Sequence, residues 1–198
     1  LFANATRLGC YMKKILLAIL LCVLLLIPCF SLVACGEGEE DVVFCSIYPI
    51  YNFTENLLKD TNVKVKCLVK AGEEPHDFEP TTKDAAALKK SKLFIVNGAG
   101  LEGWLKDIES ALNIEAYCCS DNIEKLKLNS IDDPHIWLSI ENAKKMTNNI
   151  ASKLKETFPE IKDKIEINLE TINVRFDNLL EKYEELNNAT IKDVVVTH

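Results

Sequence analysis

The three histidines of this chain lie where they could bind a metal ion. His76 lies in the turn "EEPHDFEP" and His135 in the turn "DDPHIW", each directly after an acid and a proline, and His198 is the last residue of the sequence. Because proline fixes the backbone that enters each histidine, the imidazole is presented from a stiff turn. Three neutral imidazoles that converge from separate loops suit a borderline cation such as Zn²⁺, which accepts nitrogen ligands in tetrahedral sites.

Carboxylates beside these histidines could orient the rings. Asp77 follows His76, and Asp133 lies two residues before His135. A carboxylate that accepts the second ring N–H fixes the tautomer of a metal-binding histidine, although here the assignment depends only on proximity in sequence. A histidine in a turn is also often a hydrogen-bonded structural residue, and the pattern alone leaves both interpretations open.

The segments that must position these turns alternate between strand and helix. Short runs rich in Val, Ile and Phe predict strands buried on both faces, namely "DVVFCSI", "NVKVKCLV" and "KLFIVN". The segments "PIYNFTENLLKD" and "TTKDAAALKKS" between them have helical spacing, and Thr81 or Thr82 is a natural N-cap for the second. This order predicts an α/β fold with a parallel sheet and right-handed crossovers. We expect both histidine turns at the carboxyl ends of the strands, where such sheets bind ligands.

The second half of the chain predicts one more strand and two further helices. "IEAYCC" indicates a fourth strand, Ser139 can cap the helix after the "DDPHIW" turn, and Pro159 marks the end of that helix or a kink. From Glu160 to Leu186 the apolar residues recur in steps of three or four, which predicts a long helix of about 26 residues that joins two lobes. A coiled-coil dimer is the alternative for this stripe. The final "IKDVVVTH" predicts the first strand of a second α/β lobe.

The N-terminal region has the composition of an export signal. Two lysines after Met12 precede an apolar run from Ile15 to Ile27, which is shorter than the roughly 20 residues of a membrane-spanning helix. "LVAC", ending at Cys35, resembles a bacterial lipobox, in which the cysteine becomes the acylated first residue; an ordinary cleaved signal is the alternative.

These signals divide the chain into five expected parts. Residues 1–11 precede the expected start and are read as upstream sequence, and residues 12–34 form the signal peptide. Residues 35–159 form the N-terminal lobe with its leader, residues 160–189 the linker helix, and residues 190–198 the start of a C-terminally truncated second lobe.

Charge and cysteine usage narrow the classes of partner and of site. The whole chain has a net charge of −7, and the charged residues that would be lost before Cys35 are all basic. The acidic balance argues against a nucleic-acid partner and fits a domain that attracts cations. The cysteines that remain after processing show no CxxC spacing of a zinc or redox motif. Cys45 and Cys67 lie in runs that predict neighbouring strands, so we expect buried free thiols, with a disulfide between them as the alternative.

The motifs taken together resemble a known family. The lipobox and the long helix, combined with five further blocks in the same order, are similar to the metal-binding lipoproteins of bacterial ABC importers, the cluster 9 solute-binding proteins that carry zinc or manganese. In chain order, the blocks are "SIYPIYNFTENL", "EEPHDFEPTTKDAAAL", "LFIVNGAGLEGWL", "DDPHIWLSIENAKKM" and "VVVTH".

This resemblance implies a periplasmic-binding-protein-like fold of two α/β lobes joined by one rigid helix, with the metal between the lobes. His76, His135 and His198 correspond to the first three ligands, and the fourth, an acid of the second lobe, would lie beyond His198. A histidine at the third position favours Zn²⁺ over Mn²⁺, because manganese members usually place a glutamate there. Asp77, Asp133 and Glu79 are candidates for contact with the ligands, whereas Asn97, Glu102 and Trp104 are expected to fasten loops and fill the lobe, and Trp137 to form wall or core.

The function that the resemblance implies is capture of extracytoplasmic Zn²⁺ for an ABC permease, without catalysis. The protein would be a monomer, anchored through Cys35 to the outer face of a bacterial cell membrane. Alternatives are a manganese-binding member of the same family, an adhesion-type surface lipoprotein, and a zinc hydrolase with an open position for water.

Overall fold

The computed structural model describes residues 41–188 of the chain. A four-stranded and a two-stranded sheet and five α-helices make up this part, with three short 3₁₀ turns at 136–138, 159–161 and 186–188. In chain order the elements are β1 (Val42–Cys45), α1 (Tyr48–Leu57), β2 (Lys64–Cys67), α2 (Thr82–Leu88), β3 (Leu93–Val96), α3 (Leu105–Leu112), β4 (Tyr117–Cys118), β5 (Lys127–Leu128), β6 (Ile131–Asp132), α4 (Ile140–Thr157) and α5 (Lys162–Glu185).

The main sheet is parallel throughout, with the strand order β2-β1-β3-β4. Its four strands correspond to the four apolar runs of the sequence, so the predicted α/β class is confirmed. The expected first strand of a second lobe, in residues 190–198, lies outside the described residues. Because β1 is flanked by β2 on one side and β3 on the other, the chain reverses its direction of winding beside β1. That is the point of a parallel sheet where the loops part and leave a crevice.

Alternating side chains on the central strands build two cores, one on each face of the sheet. Val43 of β1 and Ile95 of β3 pack on the face covered by α1, α4 and α5. Phe44 and Phe94 point to the other face, where they pack with Leu88 of α2 and the partly buried apolar residues of α3. Burial on both faces, as predicted for β1 and β3, follows from this double covering.

The prediction of burial on both faces is wrong for β2. Lys64 and Lys66 are exposed, and they alternate with the half-buried Val65 and Cys67. This strand lies at the edge of the sheet, where helices cover it less completely than they cover β1 and β3. The ammonium group of Lys66 lies 5.7 Å from the centre of the Phe44 ring, so the lysine stem covers apolar surface beside this ring.

The cysteines of the described part are free thiols. The β1–β2 register places Cys45 directly opposite Cys67, as neighbouring strands predicted, but the two are not joined in a disulfide. Cys45 is fully buried and donates a hydrogen bond of 3.4 Å to Thr54, whereas Cys67 is only half-buried. Desolvation by burial raises the pKa of Cys67 to about 11, which keeps this thiol protonated and unreactive at neutral pH.

The helix boundaries agree with the predicted caps. Thr81 rather than Thr82 is the N-cap of α2, where it forms a reciprocal capping box with Asp84. The Ser139 hydroxyl accepts a hydrogen bond of 3.3 Å from the backbone N–H of Asn142 at the start of α4. Helix α4 ends at Thr157, two residues before Pro159, as a proline at that position requires.

No signal in the sequence predicted the hairpin of β5 and β6, which comes just before the second histidine turn. Its two strands pair antiparallel and are joined by Asn129 and Ser130, which both have positive φ, as a type I′ turn requires. The usual marker of such a turn is Asn-Gly, whereas Ser130 tolerates positive φ poorly and gives no such marker.

The long helix α5 has 24 residues, a length of about 36 Å at 1.5 Å per residue. In its first half Ile165, Leu169 and Ile172 are buried in the core of the sheet. Those positions therefore contact the chain's own lobe and are not free to form a coiled-coil seam. After the half-buried Phe176 the same stripe is exposed, at 42% for Leu179 and 58% for Tyr183. Within residues 41–188, no helix is long and apolar enough to cross a membrane.

Candidate metal centre

The two described histidines lie side by side. The centroids of the His76 and His135 rings are 5.6 Å apart, with 65° between the ring planes. His76 comes from the loop between β2 and α2, whereas His135 comes from the turn that follows β6. His76 is exposed and His135 is half-buried, so the pair is open to solvent on the His76 side. The fold has brought together two residues that the sequence separates widely.

Asp133 holds the ring of His135. Its Oδ1 atom accepts a hydrogen bond of 3.0 Å from the backbone N–H of His135 and lies 2.7 Å from Nδ1 of the same residue. A carboxylate can only accept, so Nδ1 carries a proton, and in the neutral form of the ring Nε2 then has the lone pair. A neutral imidazole with a free lone pair at Nε2 is the form that binds a metal ion.

The other two candidate carboxylates have no described hydrogen bond or ion pair with the rings. Asp77 and Glu79 are both exposed, and the structure describes no hydrogen bond from either to an imidazole. The backbone N–H of His76 instead lies 3.4 Å from Oε1 of Glu74, which belongs to its own turn. The interpretation that Asp77 and Glu79 orient the histidines therefore has no support in the described contacts.

Two aromatic residues that the sequence singled out form walls near the pair. The Trp137 ring lies 5.5 Å from that of His135 and packs partly against the main core. Trp104 is 9% exposed and packs against Phe78, two residues after His76, with ring centroids 5.5 Å apart. Trp137 thus packs beside the His135 turn and Trp104 beside the His76 turn, as wall and core residues.

Two of the predicted site residues lie outside the part of the chain that the structure describes. They are His198, the expected third ligand, and Cys35, the expected lipidation site. Between residues 41 and 188, no group of three or more His, Cys, Asp or Glu side chains is placed to hold a metal ion. The described part thus contributes two imidazoles, and three-fold coordination by nitrogen needs a donor from elsewhere.

A buried carboxylate joins the ends of the two central strands. Glu102 is 6% exposed and accepts hydrogen bonds from the Ser46 hydroxyl (2.6 Å) and from the backbone N–H groups of Asn97 (2.8 Å) and Gly98 (3.0 Å). Desolvation by burial raises the pKa of Glu102, and the hydrogen bonds oppose that shift. Ser46 follows β1 and Asn97 follows β3, so Glu102 fastens the two loops, as expected for it.

Asn97 extends this connection to the second histidine turn. Its Nδ2 atom donates hydrogen bonds to the carbonyl of Gly98 (3.0 Å) and to that of Pro134 (2.9 Å), the residue before His135. Sequence reasoning assigned Asn97 a fastening role but missed Ser46 altogether. The available signal was positional, because Ser46 is the first polar residue after the buried strand β1.

Gly98 is required where the loop after β3 passes close to β4. Its φ is +81°, and a Cβ there would lie 3.0 Å from Oγ of Ser120 and 3.3 Å from Cβ of Cys118. Both the left-handed conformation and the lack of space exclude a larger residue.

The two histidines line separate pockets. A cavity of about 350 Å³ is bounded by Asp133, His135 and the start of α4. A wider groove of about 750 Å³ runs past His76 and carries the carboxylates of Asp77, Glu79 and Asp107. A groove lined by carboxylates attracts cations and repels anions.

The chain matches a known family over most of its length. The family model described as zinc-uptake complex component A, periplasmic, matches residues 43–198. The chain belongs to this family.

Proteins similar to this chain are named for binding zinc or manganese. The chain is 28% identical to the zinc-binding lipoprotein AdcA of Streptococcus pneumoniae, across 94% of the chain and 41% of that protein. It is 32% identical to the manganese-binding lipoprotein MntA of Halalkalibacterium halodurans, across 75% of the chain and 52% of that protein. The chain thus spans about half the length of these relatives or less.

Solved structures of the family show the same fold. The metal-dependent lipoprotein YcdH of Bacillus subtilis is similar with a TM-score of 0.67 at 30% identity, across 72% of this chain and 54% of that one. The Zn(II)-bound ZnuA-like domain of AdcA from S. pneumoniae gives a TM-score of 0.68 at 26% identity, across 74% of this chain and 55% of that one.

Proposed function

We propose that this protein is an extracytoplasmic solute-binding lipoprotein that captures Zn²⁺ and delivers it to an ABC-type metal importer. The observation that carries the proposal is the His76–His135 pair, with ring centroids 5.6 Å apart at the carboxyl-end side of a parallel sheet. In this proposal both imidazoles bind the ion, and His198 supplies the third nitrogen. The Asp133 contact supports a ligand role for His135, because a proton held at Nδ1 makes Nε2 the nitrogen through which the neutral ring would coordinate.

The donor set favours zinc over manganese. Imidazole nitrogen suits Zn²⁺, whereas Mn²⁺ prefers carboxylate and water oxygen. The described pair offers two imidazole nitrogens, whereas Asp77 and Glu79 line the groove and have no described hydrogen bond to either ring. A manganese-binding role is the alternative, since a relative of similar identity is named for manganese.

The remaining parts of the proposal concern location and partners. Relatives are named lipoproteins, which supports lipidation of Cys35 and anchoring to the outer face of the cell membrane. The acidic balance of the chain favours cations over nucleic acid. The protein would act as a monomer that docks on a membrane permease, and it would carry its cargo without chemical change.

Calorimetric titration of the full chain with zinc tests the proposal. We expect one tight site that His76→Ala and His135→Ala each weaken by at least about a hundredfold, because each removes a direct ligand. Lys90→Ala is the control, since Lys90 is exposed just before the amino end of β3, at the opposite end of the strands from the histidine turns. If zinc binds both histidine variants as tightly as the control, the site does not involve this pair. Parallel titration with Mn²⁺ decides between the two metals.

A further inference from the structure

Asn97 connects the rigid base of the sheet to the loop that carries His135. We propose that Asn97, braced by Glu102 and Ser46, is a positioning residue that sets the place of the His135 imidazole and thereby the strength of cation binding. The second part of this inference rests on the proposed function, whereas the first part concerns the metal-free protein.

The geometry around the Asn97 amide carries the inference. Asn97 is fully buried, and its two side-chain N–H groups are both used, on the carbonyls of Gly98 and Pro134. The Pro134 carbonyl belongs to the peptide bond that leads into His135. Any displacement of that carbonyl moves the backbone of His135, and the ring moves with it.

The base that holds Asn97 is rigid for a separate reason. The Glu102 carboxylate accepts three hydrogen bonds, which tie the end of β1 at Ser46 to the end of β3 at Asn97 and Gly98. The Asn97 backbone N–H also lies 3.3 Å from the Ser46 oxygen. These bonds are shielded from water because all of the side chains involved are buried. Among the hydrogen bonds of residues 41–188, it is the one from the Asn97 side chain to the Pro134 carbonyl that continues this network to the second histidine turn.

A further observation separates this role from simple packing. Oδ1 of Asn97 is buried and has no hydrogen-bond partner among residues 41–188. A buried acceptor without a donor destabilises the fold. The two bonds donated by Nδ2 are therefore the contribution that this polar side chain makes, and one of them ends on the His135 turn.

The test compares two asparagines with the same chemistry. Asn168 in α5 also donates through Nδ2 to two carbonyls, those of Leu57 (2.9 Å) and Lys59 (3.0 Å), away from the histidine loops. Asn97→Ala and Asn168→Ala each remove one such pair of hydrogen bonds. For both variants of the full chain we would measure the His135 ring resonances by NMR in the metal-free state, the thermal midpoint, and zinc affinity by calorimetry.

The inference predicts different results for the two variants. Asn97→Ala should shift the His135 resonances and weaken zinc binding by about tenfold or more, as expected when the support of a ligand is lost, while Asn168→Ala lowers the midpoint only. Wild-type His135 resonances and unchanged zinc affinity in Asn97→Ala would overturn the inference. If wild-type protein binds no zinc, the proposed function fails, and the metal-free resonances alone decide the positioning role.

Ser46→Ala provides a second route if Asn97→Ala does not fold. It removes the hydroxyl that braces Glu102 but leaves the Asn97 amide in place. The His135 resonances should shift in the same direction as in any folded Asn97 variant, and their identity with wild type would contradict the inference.

Discussion

One oxygen of the Asp133 carboxylate contacts His135 twice, at 3.0 Å from the backbone nitrogen and at 2.7 Å from Nδ1 of the ring. The turn therefore fixes both where His135 lies and which of its ring nitrogens carries the proton. Asp77, which follows His76 directly in sequence, has no described contact of this kind, so the two similar turns are not equivalent in structure.

Asp133→Asn should weaken zinc binding by about tenfold or more, because the amide no longer selects the tautomer with its proton on Nδ1 and its lone pair on Nε2. Asp77→Asn is the matched control, since it removes the same charge from the other turn without loss of a ring contact. Calorimetric titration of both variants checks this prediction. Equal losses in the two variants would mean that the charge of the groove, and not the ring contact, sets the affinity.

Thr81→Ala should lower the free energy of unfolding by about 1 kcal/mol, the usual cost of a lost N-cap. Thr81 and Asp84 satisfy each other's backbone N–H groups at the start of α2. Thr82→Ala is the control, because Thr82 is exposed in the first turn of the same helix and caps nothing. Urea unfolding of both variants gives the comparison, and a control as unstable as Thr81→Ala would refute the capping argument.

Glu102→Gln should reduce the pH dependence of stability. Burial raises the pKa of Glu102, so above the ordinary carboxyl pKa the folded chain binds more protons at this group than the unfolded chain does. Its contribution to the free energy of unfolding is therefore largest in acid and falls as the pH rises through the raised pKa. Urea unfolding between about pH 4 and 7 would show this as a difference in slope between wild type and variant. Parallel curves would show that Glu102 does not titrate in that range.

The cysteines should react slowly with thiol reagents until the chain unfolds. Cys45 and Cys119 are fully buried, and burial raises the pKa of both. Cys67 and Cys118 are half-buried, with the pKa of each raised to about 11, and should react before the two buried thiols. Peptide mass mapping after timed labelling at pH 8 measures each site. A Cys45–Cys67 disulfide in the purified protein would contradict the structure.

The sequence predicted those parts of the fold that depend on local pattern. The apolar runs at β1 and β3, the caps at Thr81 and Ser139, and the stop before Pro159 all depend on residues close in sequence, and each is found as expected. The predictions that failed depended on what covers a segment. The lysines of β2 are exposed because that strand lies at the sheet edge, and an edge is a property of the strand order.

The sequence by itself determined which residues of this protein could bind a metal: histidines after acid-proline pairs, in turns that follow strands. Only the tertiary structure decided that the His76 and His135 ring centroids lie 5.6 Å apart, that Asp133 contacts the His135 ring, and that Asn97 reaches the Pro134 carbonyl. The physical reason is that residue type and local backbone preference are written along the chain. Distances between loops depend instead on strand order and on hydrogen bonds between residues far apart in sequence.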